Sequence, residues 1–328
     1  MTDALAPRRV RWTLAIGLMV LSPLCAEYLS GYDDSTGDPW ALLGGLFIFI
    51  PLYGAPALVI RELARRNGIR RPGILALATA AGIAQAGIID QSMFSESYRD
   101  IDYWRSMIEP TFIAPFGISA YTTLAFVAGH AVWSFGAPIA LMESFSPDRR
   151  PWLRLPGLLI ATGLYLAAAA VVLRWHLDGE ADHASAGQIA GAGAAVLLLV
   201  VFAFTFGRRT RPPGDGRVPN PLLVGLGAMA AALAFQFAPP TWPAFAGSVA
   251  LVAAVAFGVS RMARSVRWTG GHVAALATGA LAAMATVAFF GDPIGEVTRT
   301  AQYAHNTVFT AGVLVLGYFA WRSGRRRS

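Results

Sequence analysis

One histidine, His130, stands near the middle of the long apolar segment 118–142. An imidazole at such a depth can serve as a metal ligand, a proton carrier or a general base. In a helix, Thr123 and Ser134 would share its face, because residues four and seven positions apart lie on the same side. The alternative is a neutral histidine that is hydrogen-bonded to a neighbouring helix. The pattern makes His130 the first candidate for chemistry.

Two carboxylates occur near the ends of other apolar segments. Glu27 lies late in the first segment, and Asp90 ends the third. A carboxylate inside a bilayer costs on the order of 2.5–3.5 kcal/mol unless it faces protein or water. Gln85, deeper in the third segment, also needs a hydrogen-bond partner. We predict that Glu27, Asp90 and His130 form a catalytic or ligand-binding centre; the alternative for both carboxylates is a place in the membrane interface.

The second apolar segment contains two prolines around a glycine, in the order Pro51-Leu52-Tyr53-Gly54-Ala55-Pro56. Proline inside a helix removes a hydrogen bond and clashes with the preceding turn, so we predict a kink or break here. Broken helices at mid-membrane depth line cavities or are buried in protein; a simple packing kink is the alternative. We predict a substrate pocket lined by six side chains: Tyr53, Gln85, Gln91, Thr123, Ser134 and Trp104.

The longest connection, residues 91–117, combines four acidic residues, two arginines and several aromatic residues, Trp104 among them. A flexible tether would be rich in glycine and serine. We therefore predict that this loop folds over the mouth of the pocket as a lid and includes a short interfacial helix. An ordinary surface loop is the alternative.

The elements that must position these residues are membrane-spanning helices. The chain of 328 residues is 55% hydrophobic and only 14% charged, with a mean hydropathy of +0.51, whereas soluble domains average about 25% charged residues. A span needs roughly 20 mostly apolar residues. The sequence predicts an all-α transmembrane bundle of about ten spans, at 12–31, 41–60, 72–90, 118–142, 157–173, 186–206, 221–238, 242–260, 271–290 and 305–321.

The basic residues are all arginines, and most of them cluster in every second gap between these segments. This is the pattern of cytoplasmic loops in membrane proteins, and it places both termini in the cytoplasm. We predict that the protein lies in the inner membrane of a bacterium. A net charge of +7 and a pI near 10.1 would also suit nucleic-acid binding. We exclude nucleic acid as a partner because the arginines form no stripe with interleaved aromatic residues.

The two halves of the chain differ in composition. We predict one membrane domain, 1–328, in which residues 12–143 form the polar functional helices and residues 157–321 form an Ala/Leu/Val-rich scaffold. Small residues in the scaffold favour close helix packing. The chain has one cysteine, Cys25, so it has no internal disulfide.

The chain resembles uncharacterised multipass membrane proteins of actinobacterial type. The segment 87–143 carries this resemblance, which implies no particular activity. The chain is also similar in part to CAAX-protease-like (CPBP) intramembrane proteases, whose motifs are Glu-Glu-x-x-x-Arg, Phe-x-x-x-His and His-x-x-x-Asn/Asp. Phe126 to His130 fits the second motif and Glu62 to Arg66 fits half of the first. Arg61 replaces its leading glutamate, and the third motif is absent.

Three functions remain open at this point. The first is a transporter or permease-like protein for a small or amphipathic molecule. The second is an intramembrane enzyme, hydrolase-like, that acts on a lipid-like or membrane-embedded substrate. The third is an accessory or immunity-type protein. The bilayer is the one partner that the sequence implies; a small or lipid-like ligand fits all three functions, and the sequence assigns no metal, cofactor or oligomeric state.

Overall fold

The computed structural model describes residues 7–210 and 212–325, and its regular structure there is helical except for one short β-hairpin. Three members of the arginine clusters, Arg211, Arg326 and Arg327, lie outside the described residues. Eight helices are long and apolar enough to cross a membrane: α1 (Arg8–Tyr28), α2 (Pro39–Arg66), α3 (Arg71–Ile89), α5 (Ala120–Ser144), α6 (Leu155–Gly179), α7 (Ala186–Arg208), α9 (Trp242–Met262) and α10 (Gly270–Val287).

Two further helices occupy predicted spans. The helix α8 (Pro221–Gln236) is apolar but shorter, and α11 (Arg299–Arg325) has 27 residues. The remaining helix, α4 (Trp104–Ile108), is a single short turn in the loop between α3 and α5. Every predicted segment therefore forms a helix, and the eight of the first group meet the length and hydropathy that a membrane span requires.

Polar residues fix where several helices begin. Asp38 accepts hydrogen bonds from two backbone amides of the first turn of α2, and Ser119 accepts one, from the backbone N–H of Thr122, at the start of α5. Ser185 and Gln188 form a reciprocal capping box at the start of α7. Such caps satisfy backbone N–H groups that the first turn leaves unpaired.

The helix α2 extends beyond the predicted segment 41–60 and ends at Arg66. Arg61 and Glu62, the first residues beyond the predicted span, are both fully buried and form an ion pair within the protein. Of the predicted kink or break near the prolines, the break did not form, and a π-helical turn, a feature at which helices often kink, lies at this place. The helix stays continuous, and the turn Ile50–Gly54 is π-helical, a wider turn in which a proline ring can be accommodated.

The core is divided between the two faces of α5. On one face, buried residues of α1, α2, α3, α6 and α7 pack together, with Phe135 among them. On the other face, Trp133 packs with α10 and α11, and its indole N–H donates to the carbonyl of Ala280 at 2.8 Å. The helix α9 is the most peripheral, since only Ser248 among its residues is buried.

The loop between α3 and α5 is folded, as predicted. It contains α4 and a two-stranded antiparallel hairpin, in which β1 (Phe112–Ile113) pairs with β2 (Ile118–Ser119). Gln91, Arg99 and Asp100 adopt positive φ angles of 50° to 53°, a conformation that costs energy in residues other than glycine. The surrounding contacts therefore hold this loop in one defined shape.

Candidate functional site

Four π-helical turns form the framework of the site, one in each of α1, α2, α3 and α5. They are Leu24–Tyr28, Ile50–Gly54, Gln85–Ile89 and His130–Gly136. Each contains a residue that the sequence marks for chemistry: Glu27, Tyr53, Gln85 and His130 in turn. Single π-helical turns inside α-helices are rare and often occur at functional sites.

Glycines bring these turns together. A Cβ atom at Gly54 would overlap the backbone carbonyl of Met19 in α1, and one at Gly82 would lie 2.8 Å from the Cβ of His130. Only glycine permits such a close approach of helix backbones. The π-helical turn of α2 therefore lies directly against α1, and that of α5 directly against α3.

His130 lies in an aromatic stack. Its ring is 5.9 Å from that of Tyr53 and 6.3 Å from that of Phe135, centroid to centroid, with interplanar angles of 22° and 30°. Its Nδ1 atom is 3.1 Å from the Oγ of Ser134. Tyr53 of the second predicted segment and His130 and Ser134 of the fourth are thus in one contact group.

Ser22 ties this group to α1. Its hydroxyl contacts two backbone carbonyls, that of Tyr53 at 3.0 Å and that of Ser134 at 2.6 Å. Both carbonyls belong to π-helical turns, where the regular i to i−4 hydrogen bonding of the backbone is interrupted. The fully buried Ser22 therefore offers its one hydroxyl proton to acceptors in two of the wider turns.

Glu27 accepts a hydrogen bond from the hydroxyl of Tyr32 at 2.9 Å, and the hydroxyl of Tyr53 also faces this carboxylate. Asp90 accepts from Gln85 Nε2 at 3.2 Å and from the backbone N–H of Ser92 at 2.9 Å. The two carboxylates lie close enough for electrostatic repulsion between them. No ion pair to either of them occurs within the described ranges, so their partners are neutral donors.

The loop between α3 and α5 packs against this region. Trp104 is buried, and its ring lies 5.0 Å from that of Tyr98 and 5.7 Å from that of Phe126, one turn before His130 in α5. Its indole N–H donates to the carbonyl of Ser95 at 3.0 Å. Burial raises the pKa of Tyr98, and the negative charges of Asp90 and Glu27 raise it further. The Tyr98 hydroxyl therefore remains a hydrogen-bond donor at neutral pH.

The loop is fastened on its far side to the segment that follows α6. Asp182 accepts hydrogen bonds from Ser95 Oγ at 2.9 Å and from the backbone N–H of Glu96 at 2.6 Å. Arg99 adds an ion pair with Asp33 at 3.6 Å. These contacts join the loop both to the α6–α7 connection and to the α1–α2 connection.

Two of the predicted pocket residues have other surroundings. The side-chain oxygen of Gln91 accepts the backbone N–H of Ala184 at 2.7 Å, so its amide fastens the loop and does not contact the carboxylates. The hydroxyl of Thr123 is buried and has no hydrogen-bond partner in the described part of the chain. Within that part, no group of three or more His, Cys, Asp or Glu side chains is arranged to hold a metal ion.

Sequence reasoning missed Tyr32, Tyr98 and Ser22 as members of the site. Tyr32 follows Glu27 by five residues, a spacing that could have indicated a shared location beyond the end of α1. Tyr98 lies in the loop that was predicted to act as a lid. Ser22 gave no signal, because a serine within an apolar helix ordinarily bonds to its own backbone.

A second polar cluster lies at the opposite end of α2 and includes the residues similar to the CPBP motif. Glu62 accepts from Arg61 at 2.7 Å and from the backbone N–H groups of Trp152 and Leu153 at 2.7 and 3.2 Å. Its ion pair with Arg66, at 3.6 Å, is the weakest of these contacts. Glu62 shares no partner with His130, so the two half-motifs do not assemble into one protease-like centre.

No curated protein and no solved structure matches this sequence. A family model described as an uncharacterized membrane protein family matches residues 16–323. That match covers nearly the whole chain, including every residue of the site. The chain therefore belongs to this uncharacterized membrane protein family.

Proposed function

We propose that this protein is a transporter or permease-like protein for a small or amphipathic molecule. The observation that supports it most is the presence of a π-helical turn in four packed helices, each turn with a polar candidate residue. Irregular backbone inside a membrane is favoured where it lines a substrate path, as in transporters with interrupted helices. The carboxylates of Glu27 and Asp90 and the hydroxyl of Tyr53 would contact the substrate.

The proposal includes the topology. All ten long helices cross the membrane, α8 and α11 among them, and both termini lie in the cytoplasm of a bacterial cell. The arrangement of the arginines supports this orientation, because clusters such as Arg61–Arg71 and Arg149–Arg154 follow every second span. The site then opens toward the outside, and residues 91–117 act as its lid.

Cysteine labelling from both sides of the membrane tests transport. The single native cysteine, Cys25, is buried. It is first replaced by the substitution Cys25→Ala, and Ser134→Cys is then introduced into this cysteine-free protein. Right-side-out and inverted vesicles are treated with a membrane-impermeant thiosulfonate. Alternating access predicts labelling of position 134 from both sides, with a slower rate from one of them.

Three further single cysteines serve as controls. We expect Ser106→Cys, in the loop between α3 and α5, and Asp215→Cys, between α7 and α8, each to react from one side only. Leu198→Cys, which is exposed on an apolar face, should react from neither side. Labelling of Ser134→Cys from a single side, with these controls as expected, would contradict transport through the site.

One observation favours a second candidate, an intramembrane hydrolase. The 3.1 Å contact between His130 Nδ1 and Ser134 Oγ is the arrangement in which an imidazole can activate a serine nucleophile. A hydrolase predicts that a fluorophosphonate probe modifies the protein and that Ser134→Ala and His130→Ala abolish the modification. Equal modification of the parent and both variants would reject this candidate.

A further inference from the structure

The ends of α2, α3 and α5 meet in a cluster of arginines that is separate from the site under the loop. Four arginines surround the carboxylate of Glu143. Arg61 Nε donates to it at 3.2 Å, Arg65 makes an ion pair with the same group, and Arg71 and Arg149 lie within electrostatic range of it. Arg71 begins α3, and Arg149 lies in the connection between α5 and α6.

The acidic residues of the cluster are already saturated. Glu62 accepts hydrogen bonds from Arg61 and two backbone N–H groups and forms an ion pair with Arg66, and Glu143 accepts from Arg61 and Arg65. The side chains of Arg71 and Arg149 have no hydrogen bond or ion pair with any residue of the described ranges. Guanidinium groups therefore outnumber these two carboxylates, and Glu143 offsets only part of the repulsion that Arg71 experiences from Arg149 and Arg65.

Arg61 supplies a second, independent sign of an unmet interaction. Its side chain is fully buried beneath the ring of Trp152, with the guanidinium carbon 3.7 Å from the ring centroid. Its Nη1 and Nε atoms are bonded to glutamates, but its Nη2 atom is buried without a hydrogen-bond partner. Buried donors of this kind are rare in folded proteins and are expected to meet an acceptor.

We propose that this cluster binds the phosphate group of an anionic ligand at the membrane surface. Phosphate oxygens accept paired N–H donors from guanidinium groups, which gives arginine clusters their preference for this anion. The cluster lies at the ends of three membrane helices, where the phosphates of lipid headgroups are found, and basic pockets between such helices bind anionic lipids. The same chemistry would accept a headgroup phosphodiester or free phosphate.

The test uses the full-length purified protein and compares two sources of phosphate. Native mass spectrometry measures retention of phosphatidylglycerol against phosphatidylcholine, and thermal unfolding is followed as inorganic phosphate is added. The variants are Arg71→Gln and Arg149→Gln, singly, since neither side chain makes a hydrogen bond or ion pair within the described ranges. The matched control is Arg261→Gln with Arg264→Gln, which removes two exposed arginines from the end of α9 and the turn after it.

We expect the parent and the control to retain phosphatidylglycerol in preference to phosphatidylcholine, and each of the two single variants to bind it about tenfold more weakly, as for the loss of one charge-assisted contact. Free phosphate is the ligand if inorganic phosphate displaces the lipid, or if it stabilises the parent but not the variants. If inorganic phosphate has neither effect, the lipid headgroup is the ligand. Two results would overturn the proposal. In the first, the parent and the variants bind phosphatidylglycerol and inorganic phosphate equally well. In the second, the parent shows neither a preference for phosphatidylglycerol nor any effect of inorganic phosphate.

Discussion

The first four long helices and the helix α9 differ in how much of their surface the protein itself covers. In α3, 61% of the most apolar stretch is buried, compared with 6% in α9. All four π-helical turns, and the carboxylates of Glu27 and Asp90, belong to the first group or the residues next to it. The difference shows that these polar groups lie where protein, not lipid, surrounds them. Such surroundings lower the free-energy cost of a charge near the membrane interior.

The largest expected effect concerns the buried ion pair at the end of α2. In Glu62→Gln, Arg61 loses its fully buried partner, and we expect a destabilisation of about 3–5 kcal/mol. Asp178→Asn, which breaks the exposed pair with Arg174 in α6, should cost less than about 1 kcal/mol. Thermal unfolding of the purified variants checks both values, and similar losses in the two variants would erase the distinction between the regions.

Helix packing gives the second contrast. Gly54→Val in α2 would push a side chain into the backbone of α1, and we expect a loss of about 1–3 kcal/mol. Gly258→Val in α9 has nothing within 4 Å to meet and should leave the unfolding temperature unchanged. A tolerated Gly54→Val would show that the π-helical turns are not packed as closely as described.

The third contrast is local. Trp104→Ala removes the contacts with Phe126 and Tyr98 and the hydrogen bond to Ser95, so we expect faster hydrogen exchange in residues 98–111, by about tenfold or more, with global stability nearly unchanged. Trp242→Ala, at the exposed start of α9, is the control and should change neither quantity. Unaltered exchange in the loop of Trp104→Ala would mean that this tryptophan does not hold the loop closed.

The last contrast concerns a single hydrogen bond, that of Tyr32. Tyr32→Phe removes one hydrogen bond to Glu27, which we expect to lower stability by about 1.5–3 kcal/mol if Glu27 is charged and by about 0.5–1.5 kcal/mol if it is protonated. Tyr318→Phe, on an exposed part of α11, is the matched control without an expected effect. A neutral result at Tyr32 would indicate that another donor replaces the hydroxyl.

The helical character of the chain and the position of each long helix could be predicted from hydropathy, because a membrane span has a strict length and an apolar surface. The extension of α2 to Arg66 could not. Hydropathy treats Arg61 and Glu62 as the end of a span, whereas the pair is buried through contacts with Glu143 and Trp152, which are distant in sequence.

The candidate site was predictable in its residue types but not in its arrangement. Glu27, Tyr53, Asp90 and His130 are conspicuous because polar groups are costly within apolar segments. The stack of Tyr53 on His130 depends on π-helical turns, which leave no signal in hydrophobic periodicity. The separate role of Gln91 depends on its hydrogen bond to Ala184, 93 residues later in the chain, and local sequence carries no information about that contact.

The most direct test of the central claim, that a substrate and water path enters beside Tyr53, is hydroxyl-radical footprinting of the unmodified protein in lipid nanodiscs. Tyr53 and Trp133 are matched in burial, at 5% and 4% exposure, but they face opposite sides of the core around α5. The account predicts oxidation at Tyr53 and protection of Trp133, although an indole is the more reactive ring. Protection of both residues, or stronger oxidation of Trp133 than of Tyr53, would contradict it.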